Sequence, residues 1–369
     1  MAIKILVVDD SAFMRQLITK MLEGDAELDV VAFARDGIDA LNKIGLYQPN
    51  VITLDVEMPN MDGLQCLAKI MEQHPMPVLM LSSLTKAGAE PTIKALELGA
   101  VDYITKPSTT DATLINQLRE ELIQKVKAAA KIRPNNLKRV LPQSDFFAIP
   151  KPHLEIAPKI QNRTQLELVA IGSSTGGPRA LYYVLPQIPA DFPLGIIIAQ
   201  HMPKEFTGIF AQRLNSLCQV EVAEAKDGDR IVPGKVLIAP SGKQTMIVRE
   251  NEKLIVKTSN EPNLLYKPSV DYLFKSISQS SQGRVLSVIL TGMGGDGAIG
   301  MKEMRDLGAR TIAEAEESCV VFGMPRVAIE MGAAEYVESL PNILPRIFKI
   351  IMQSDLHELK SGFDEGIYR

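Results

Sequence analysis

Leu168-Val169-Ala170-Ile171-Gly172-Ser173-Ser174-Thr175-Gly176-Gly177-Pro178-Arg179-Ala180-Leu181-Tyr182-Tyr183-Val184-Leu185 joins a short apolar run to a helical pattern through a glycine-rich turn. The apolar run reads as a buried strand, and a strand feeding a helix in this way is the repeating unit of α/β folds. Gly172-x-Ser174-x-Gly176 fits the nucleophile-elbow pattern, where flanking glycines permit a turn too tight for a Cβ. A serine capping the helix that follows explains the same residues. Only a general base, and an acid to orient it, separate the two readings.

Working outward, the 369-residue chain is long for a single domain. Its hydrophobic share of 46% is enough for two cores, and a net charge of -4 gives no global reason to bind nucleic acid or membrane. Cys66, Cys218 and Cys319 are far apart and odd in number, so they build neither a disulfide framework nor a zinc site. The N-terminus runs from a short apolar strand into Asp9-Asp10 without the core of a signal peptide. No apolar run approaches the roughly 20 residues of a membrane-spanning helix. The expectation is a cytoplasmic protein without membrane insertion.

Residues 1–124 alternate apolar runs (near 3–8, 28–33, 50–55, 77–81 and 101–104) with helical patterns (near 12–23, 37–45, 63–73, 87–98 and 111–126). Such alternation predicts a five-stranded parallel sheet whose ligand sits off the carboxyl ends of the strands. Asp9 and Asp10 stand at the end of the first strand, Asp55 at the third and Ser82 at the fourth, while Lys106 follows the fifth. Three carboxylates at one edge repel one another unless a cation joins them. A hard divalent ion such as Mg2+ suits these oxygens together with a phosphate. Lys106 adds a positive charge and Ser82 a hydroxyl, groups that would stabilise a phosphoryl group on Asp55.

Asp9-Asp10, the run Leu54-Asp55-Val56-Glu57-Met58-Pro59-Asn60-Met61-Asp62-Gly63, and Tyr103-Ile104-Thr105-Lys106-Pro107 closely resemble the response-regulator receiver domain, which has a flavodoxin-like fold. The resemblance implies that Asp55 is the phospho-acceptor. It implies Mg2+ held by Asp10 and Asp55, assisted by Asp9 and the Glu57 backbone carbonyl. Ser82, Tyr103 and Lys106 become the phosphate switch.

From Lys125 to Gln165 there are nine Lys or Arg, two acids, five prolines and no glycine, which reads as a basic, semi-extended linker spanning 125–165. No helix-turn-helix pattern or aromatic platform accompanies the charge, so nucleic acid is not expected as a partner. Phe146-Phe147 is an apolar patch unusual for a tether. Residues 166–353 repeat the α/β pattern, with strands near 167–171, 195–200, 236–239, 246–248, 254–257, 285–290 and 310–313, and 354–369 read as a polar tail. A doubly wound, mainly parallel sheet is expected in this second domain.

Of the four histidines, only His201 stands at the carboxyl end of a buried strand, Gly195-Ile196-Ile197-Ile198-Ala199-Gln200. His74, His153 and His357 fall in a turn, the linker and the tail. The acid that should fix the imidazole is read as Asp296, in the loop Thr291-Gly292-Met293-Gly294-Gly295-Asp296-Gly297 after another strand. The exposed N–H groups of this loop suit an oxyanion. A rival reading exists: Gly292-x-Gly294-x-x-Gly297 is literally a dinucleotide fingerprint, with Glu314 at about the expected distance. It sets the charge of Asp296 against a pyrophosphate and leaves Ser174 and His201 unexplained.

The motifs at 170–178, 199–203, 290–297, Lys267-Pro268-Ser269-Val270-Asp271 and Val321-Phe322-Gly323-Met324-Pro325 look like the catalytic domain of the CheB family. Members are chemotaxis protein-glutamate methylesterases that carry a receiver in front of the esterase. The resemblance implies Ser174 as nucleophile, His201 as general base, Asp296 as its orienter, and Thr175 with the Met293 N–H as transition-state support. It implies no cofactor in the esterase site, methyl-accepting chemotaxis receptors as substrates, and a chemotaxis histidine kinase as phosphodonor. Deamidation of receptor glutamines is implied as well, since the same groups would serve. A further expectation is that the unphosphorylated receiver covers the cleft. Two departures stand out. Glu314-Ala315-Glu316 replaces an expected Gln-Asp-Glu, and Gln244 replaces a frequent His. Both are expected to alter only contacts at the cleft rim.

Overall fold

The computed structural model of the protein describes residues 2–83, 85–107, 112–132 and 166–364. It divides into two compact units, Met1–Phe147 and Ala148–Arg369. Most of the linker, with Phe146, Phe147 and His153, lies outside the described residues, as does the end of the tail.

The first unit alternates β1 (Ile3–Val8), α1 (Ala12–Leu22), β2 (Leu28–Ala34), α2 (Gly37–Tyr47), β3 (Val51–Asp55), α3 (Gly63–Gln73), β4 (Val78–Ser82), α4 (Lys86–Glu97), β5 (Asp102–Thr105) and α5 (Ala112–Ala130). All strand pairs are parallel, in the order β2-β1-β3-β4-β5. β3 and β4 are buried on both faces, as helices covering both sides of a sheet require. Polar loop residues start the helices. Ser11, Asp36, Asp62 and Thr85 accept N–H bonds from Met14, Asp39, Gln65 and Gly88, satisfying donors that have no partner within the helix. The chain order reverses beside β1, so the carboxyl ends of β1 and β3 flank the crevice where such sheets bind ligands.

α5 runs on past the expected domain limit at 124. Lys125 is buried there, its ammonium 3.2 Å from Asp102, 2.8 Å from Glu121 and 2.8 Å from the Tyr103 carbonyl. Val126 and Ala129 join the core of the first unit. The first residues of the expected linker are therefore helical.

The second unit has β6 (Leu168–Ser173), α6 (Gly177–Val184), β7 (Gly195–Gln200), α7 (Phe206–Asn215), β8 (Glu221–Glu224), β9 (Lys235–Ile238), β10 (Gln244–Glu250), β11 (Lys253–Ser259), α8 (Val270–Ser281), β12 (Val285–Ile289), α9 (Ala298–Asp306), β13 (Arg310–Glu314), α10 (Met324–Glu330), β14 (Tyr336–Glu338) and α11 (Leu340–Asp364). Seven strands form one sheet in the order β14-β13-β12-β6-β7-β9-β8, every pair parallel. β10 and β11 form a separate antiparallel hairpin. β8 and β14 are additional to the sequence reading. Both are short, charged edge strands, the sort of edge that resists pairing with another chain and gives little apolar signal. β6 lies at the centre, between β7 and β12, and the chain turns outward on each side of it. The reversal between β6 and β12 sets the crevice, and the glycine turn opens there.

Candidate functional site: a Ser-His-Asp cluster and an acidic pocket

The capping explanation of Ser174 does not survive. Gly176, at φ 78°, is the N-cap of α6, and no side chain caps that helix. A Cβ on Gly176 would stand 2.4 Å from the Val320 side chain, so glycine is required here for both space and dihedral. The two serines of the turn are in different surroundings. Ser173 is fully buried and donates its hydroxyl to Gln200 Oε1 at 2.6 Å. Ser174 is half-buried, and its hydroxyl makes no hydrogen bond among the described residues.

His201 follows the end of β7, with its N–H on the Ser173 carbonyl at 3.1 Å. Its Nε2 lies 2.8 Å from Asp296 Oδ2. The other ring nitrogen, Nδ1, is buried without a hydrogen-bond partner. Nε2–H thus donates to the carboxylate, and Nδ1 is the basic nitrogen. Serine–base bonds are commonly open until substrate binds. Tyr266 stacks on the imidazole at 4.2 Å between centroids and 9° between planes, fixing the ring from its face.

Asp296 is the best-satisfied group of the site. Besides His201 it receives the Ser269 hydroxyl at 2.9 Å, the Val270 N–H at 2.7 Å and the Asp271 N–H at 3.0 Å. The last two belong to the first turn of α8, where the helix dipole favours a negative charge. Burial works against ionisation, but His201 and these N–H donors outweigh it and hold the carboxyl below its ordinary value. The Lys267–Asp271 motif seen in the sequence thereby acquires a role, as the cradle of Asp296.

Gln200 carries no assignment from sequence. Its amide donates to the carbonyls of Ser174 and His201, both at 2.9 Å. Thr291 donates its hydroxyl to the Thr175 carbonyl at 3.0 Å, joining the serine turn to the Asp296 loop. Thr175 is buried and Met293 half-buried, and no described hydrogen bond ends on the Met293 N–H. Gln244 does not sit at a rim. It is fully buried, donates to the Tyr266 carbonyl at 2.8 Å and accepts the Ser269 N–H at 3.0 Å. Glu314 is likewise fully buried, with Thr291 N–H on one oxygen and the Ser318 hydroxyl on the other. It is unavailable to a ribose, which removes the dinucleotide reading.

In the first unit, Asp9, Asp10 and Asp55 bring carboxylate oxygens within 4.8 Å of one another. Lys106 lies 2.9 Å from Asp9 and 2.7 Å from Asp55. Burial pushes the Asp55 carboxyl up to about 6 against the pull of Lys106, with Asp9 adding to the rise. Burial also opposes the Lys106 charge, yet Asp55 and Asp9 hold the ammonium above its usual value. Three carboxylates against one ammonium leave the pocket negative, and its donors are hard oxygens, so the residues fit Mg2+. Glu57 is exposed and its N–H bonds to Asp55. Ser82 is buried with its hydroxyl against the Thr92 hydroxyl and the Gly88 carbonyl of α4, rather than on Asp55. Tyr103 is buried, its carbonyl held by Lys125. Among the described residues no helix is long and apolar enough to cross a membrane.

The chain matches the family described as CheB methylesterase over residues 169–347 and the response regulator receiver domain over 5–119. It is 44% identical over 351 residues to a protein-glutamate methylesterase/protein-glutamine glutaminase 1 of Chromobacterium violaceum, covering 93% of this chain and 98% of that one. It is 43% identical over 351 residues to the protein of that function in Bacillus subtilis, covering 94% and 97%. The crystal structure of the Thermotoga maritima CheB methylesterase catalytic domain aligns at 38% identity and a TM-score of 0.49, covering 50% of this chain and 99% of that chain.

Proposed function

This chain belongs to the CheB family of receiver-linked protein-glutamate methylesterases, and from that premise we propose that Ser174, His201 and Asp296 form its ester-cleaving triad. The activity is protein-glutamate methylesterase and protein-glutamine glutaminase, under the control of a receiver in a chemotaxis pathway. The observation that carries the residue assignment is the 2.8 Å bond between His201 and Asp296 beside the Ser174 turn.

His201 Nδ1 takes the Ser174 proton as Oγ attacks the γ-carbonyl of a glutamyl methyl ester. The oxyanion is received by the Met293 N–H, with Thr175 in support. His201 returns the proton to the leaving methoxide, and methanol departs from a glutamyl-serine ester. Water, deprotonated by the same nitrogen, then releases the glutamate and restores Ser174. A glutamine side chain takes the same path and releases ammonia. Asp296 holds the Nε2–H tautomer and stabilises the imidazolium formed in each half. The test is methanol release from methylated chemoreceptor. Ser174→Ala should lower it by about three to six powers of ten, and a wild-type rate in that variant would refute the assignment.

Regulation runs through Asp55. A histidine kinase or a small phosphodonor phosphorylates its carboxylate. Asp9, Asp10, Asp55 and the Glu57 carbonyl would hold the Mg2+, which supplies charge neutralisation for phosphoryl transfer. Lys106 then binds the phosphoryl oxygens, and Ser82 leaves Thr92 to donate to them, with Tyr103 following. The unphosphorylated receiver restrains the esterase and the phosphorylated receiver releases it, by its differential affinity for the two states.

A further inference from the structure

Glu314 ends β13 with no exposed surface. Oε2 accepts the Thr291 N–H at 2.8 Å and Oε1 meets Ser318 Oγ at 2.9 Å. Thr291 opens the loop that carries Met293 and Asp296. Its hydroxyl donates to the Thr175 carbonyl at 3.0 Å and accepts the Val321 N–H at 2.9 Å. One carboxyl therefore holds the residue that joins the serine turn, the Asp296 loop and the 318–321 segment.

The surroundings suit an acid better than a carboxylate. If Oε1 carries a proton, it donates to Ser318 Oγ. The Ser318 hydrogen then goes to the Ala315 carbonyl at 3.2 Å, and its second lone pair accepts the Leu340 N–H at 2.9 Å. Every group is satisfied. An ionised Glu314 would have only the Thr291 N–H, the Ser318 hydroxyl and the weakly donating Cys319 thiol for about four lone-pair sites, and no cation among the described residues is paired with it.

The charged groups around β13 are engaged elsewhere or are themselves acidic. Glu338, paired with Glu314 across the ladder to β14, binds Arg346 of α11. Arg305 of α9 donates to the Gly332 and Ala334 carbonyls, Lys302 binds Asp306, and Glu303 lies near Lys275 of α8. Arg326 of α10 pairs with Glu330, and Arg310 at the far end of β13 with Glu335. On the turn after β13, Glu316 and Glu317 add negative charge, and the Cys319 thiol sits against the Glu314 carbonyl. β12 itself carries no titratable side chain, and the Thr291 N–H just beyond it is the contact with Glu314. Burial accordingly pushes the carboxyl up to about 7.

We propose that Glu314 is a positioning residue for ester hydrolysis, bracing Thr291 as a neutral acid, and that loss of its proton slackens the join between the Ser174 turn and the Asp296 loop. A buried charge with no counter-ion draws toward water, and the Thr291 N–H moves with it. This inference rests on the ester-cleaving role of Ser174.

The test compares the full-length wild type with Glu314→Gln. The amide keeps an acceptor for Thr291 and a donor for Ser318 but does not titrate. Methanol release is followed from pH 5.5 to 9. The wild-type kcat should fall several-fold as pH rises above about 7, while Glu314→Gln holds its plateau through pH 9. The melting temperature is read alongside, and the advantage of the variant over wild type should grow from pH 5 to pH 8. Identical descending limbs, or a folded Gln variant inactive at every pH, would overturn the proposal. So would a melting difference that does not change with pH. Absence of any Ser174-dependent methanol release in wild type would instead reject the ester-cleaving reading, and the bracing role with it, leaving the melting comparison to report the proton on Glu314 separately.

Discussion

Asp55 and Asp296 both stand at carboxyl ends of parallel strands beside a topological reversal, and both face a nitrogen that can carry a proton. Their acidities move in opposite directions. Burial leaves Asp55 raised to about 6 despite Lys106, because Asp9 lies beside it as a second negative charge. Asp296 is also mostly buried, yet it is lowered, because His201 and the first turn of α8 direct hydrogens at it, with the Ser269 hydroxyl bonded alongside. The difference lies in how many donors the fold commits to each carboxylate. Asp55 is left short of partners, which suits the role proposed for it of accepting a phosphoryl and sharing a cation. Asp296 is saturated, which suits the role proposed for it of keeping its charge while the imidazole beside it gains and loses a proton.

The largest expected break in that contrast is Asp296→Asn. An amide either turns its NH2 toward His201, imposing the wrong tautomer, or toward the N–H groups of α8. Loss of about 10⁴-fold in kcat is expected, with little change in KM, measured as methanol release. An effect under tenfold would mean that the saturation of Asp296 serves stability alone.

Asp55→Asn comes next. The folded carboxyl is raised from 3.8 to about 6, so its cost is absent below pH 3.8 and reaches full size above pH 6. The receiver of the variant should gain about 2–3 kcal/mol at pH 8 and nothing at pH 3.5, read from denaturant melts. Activation by a small phosphodonor should disappear in the same protein.

The smallest is Tyr266→Leu, which removes the stacked ring from His201 but leaves the Asp296 bonds. A fall in kcat of about twofold to tenfold is expected, and the phenylalanine variant should restore it. No recovery with phenylalanine would assign the effect to the Tyr266 hydroxyl rather than to stacking.

Much of this was legible in sequence because chemistry and periodicity coincided. Asp10, Asp55, Ser174, His201 and Asp296 each follow an apolar run, so strand ends announced them. Lys125 was misread because a lysine in a basic stretch looks solvated, and its burial depends on Asp102 and Glu121 being brought to it. β8 and β14 were missed because edge strands carry polar residues. Gln200 and Ser269 fall inside recognisable motifs and Tyr266 just outside one, but the sequence gives none of them a role, since each acts on a residue distant in the chain. Glu314 was visible as an acid in an unexpected place, but only its contact with Thr291 gives it a role.

Gln200 has a mechanical consequence. One planar amide grips the carbonyls of Ser174 and His201 together, while the Ser173 hydroxyl secures its other end. Any movement of β6 against β7 would therefore carry Ser174 and His201, the proposed attacker and base, together. The distance the proton would cross between them is then set by the amide of Gln200 rather than by the sheet.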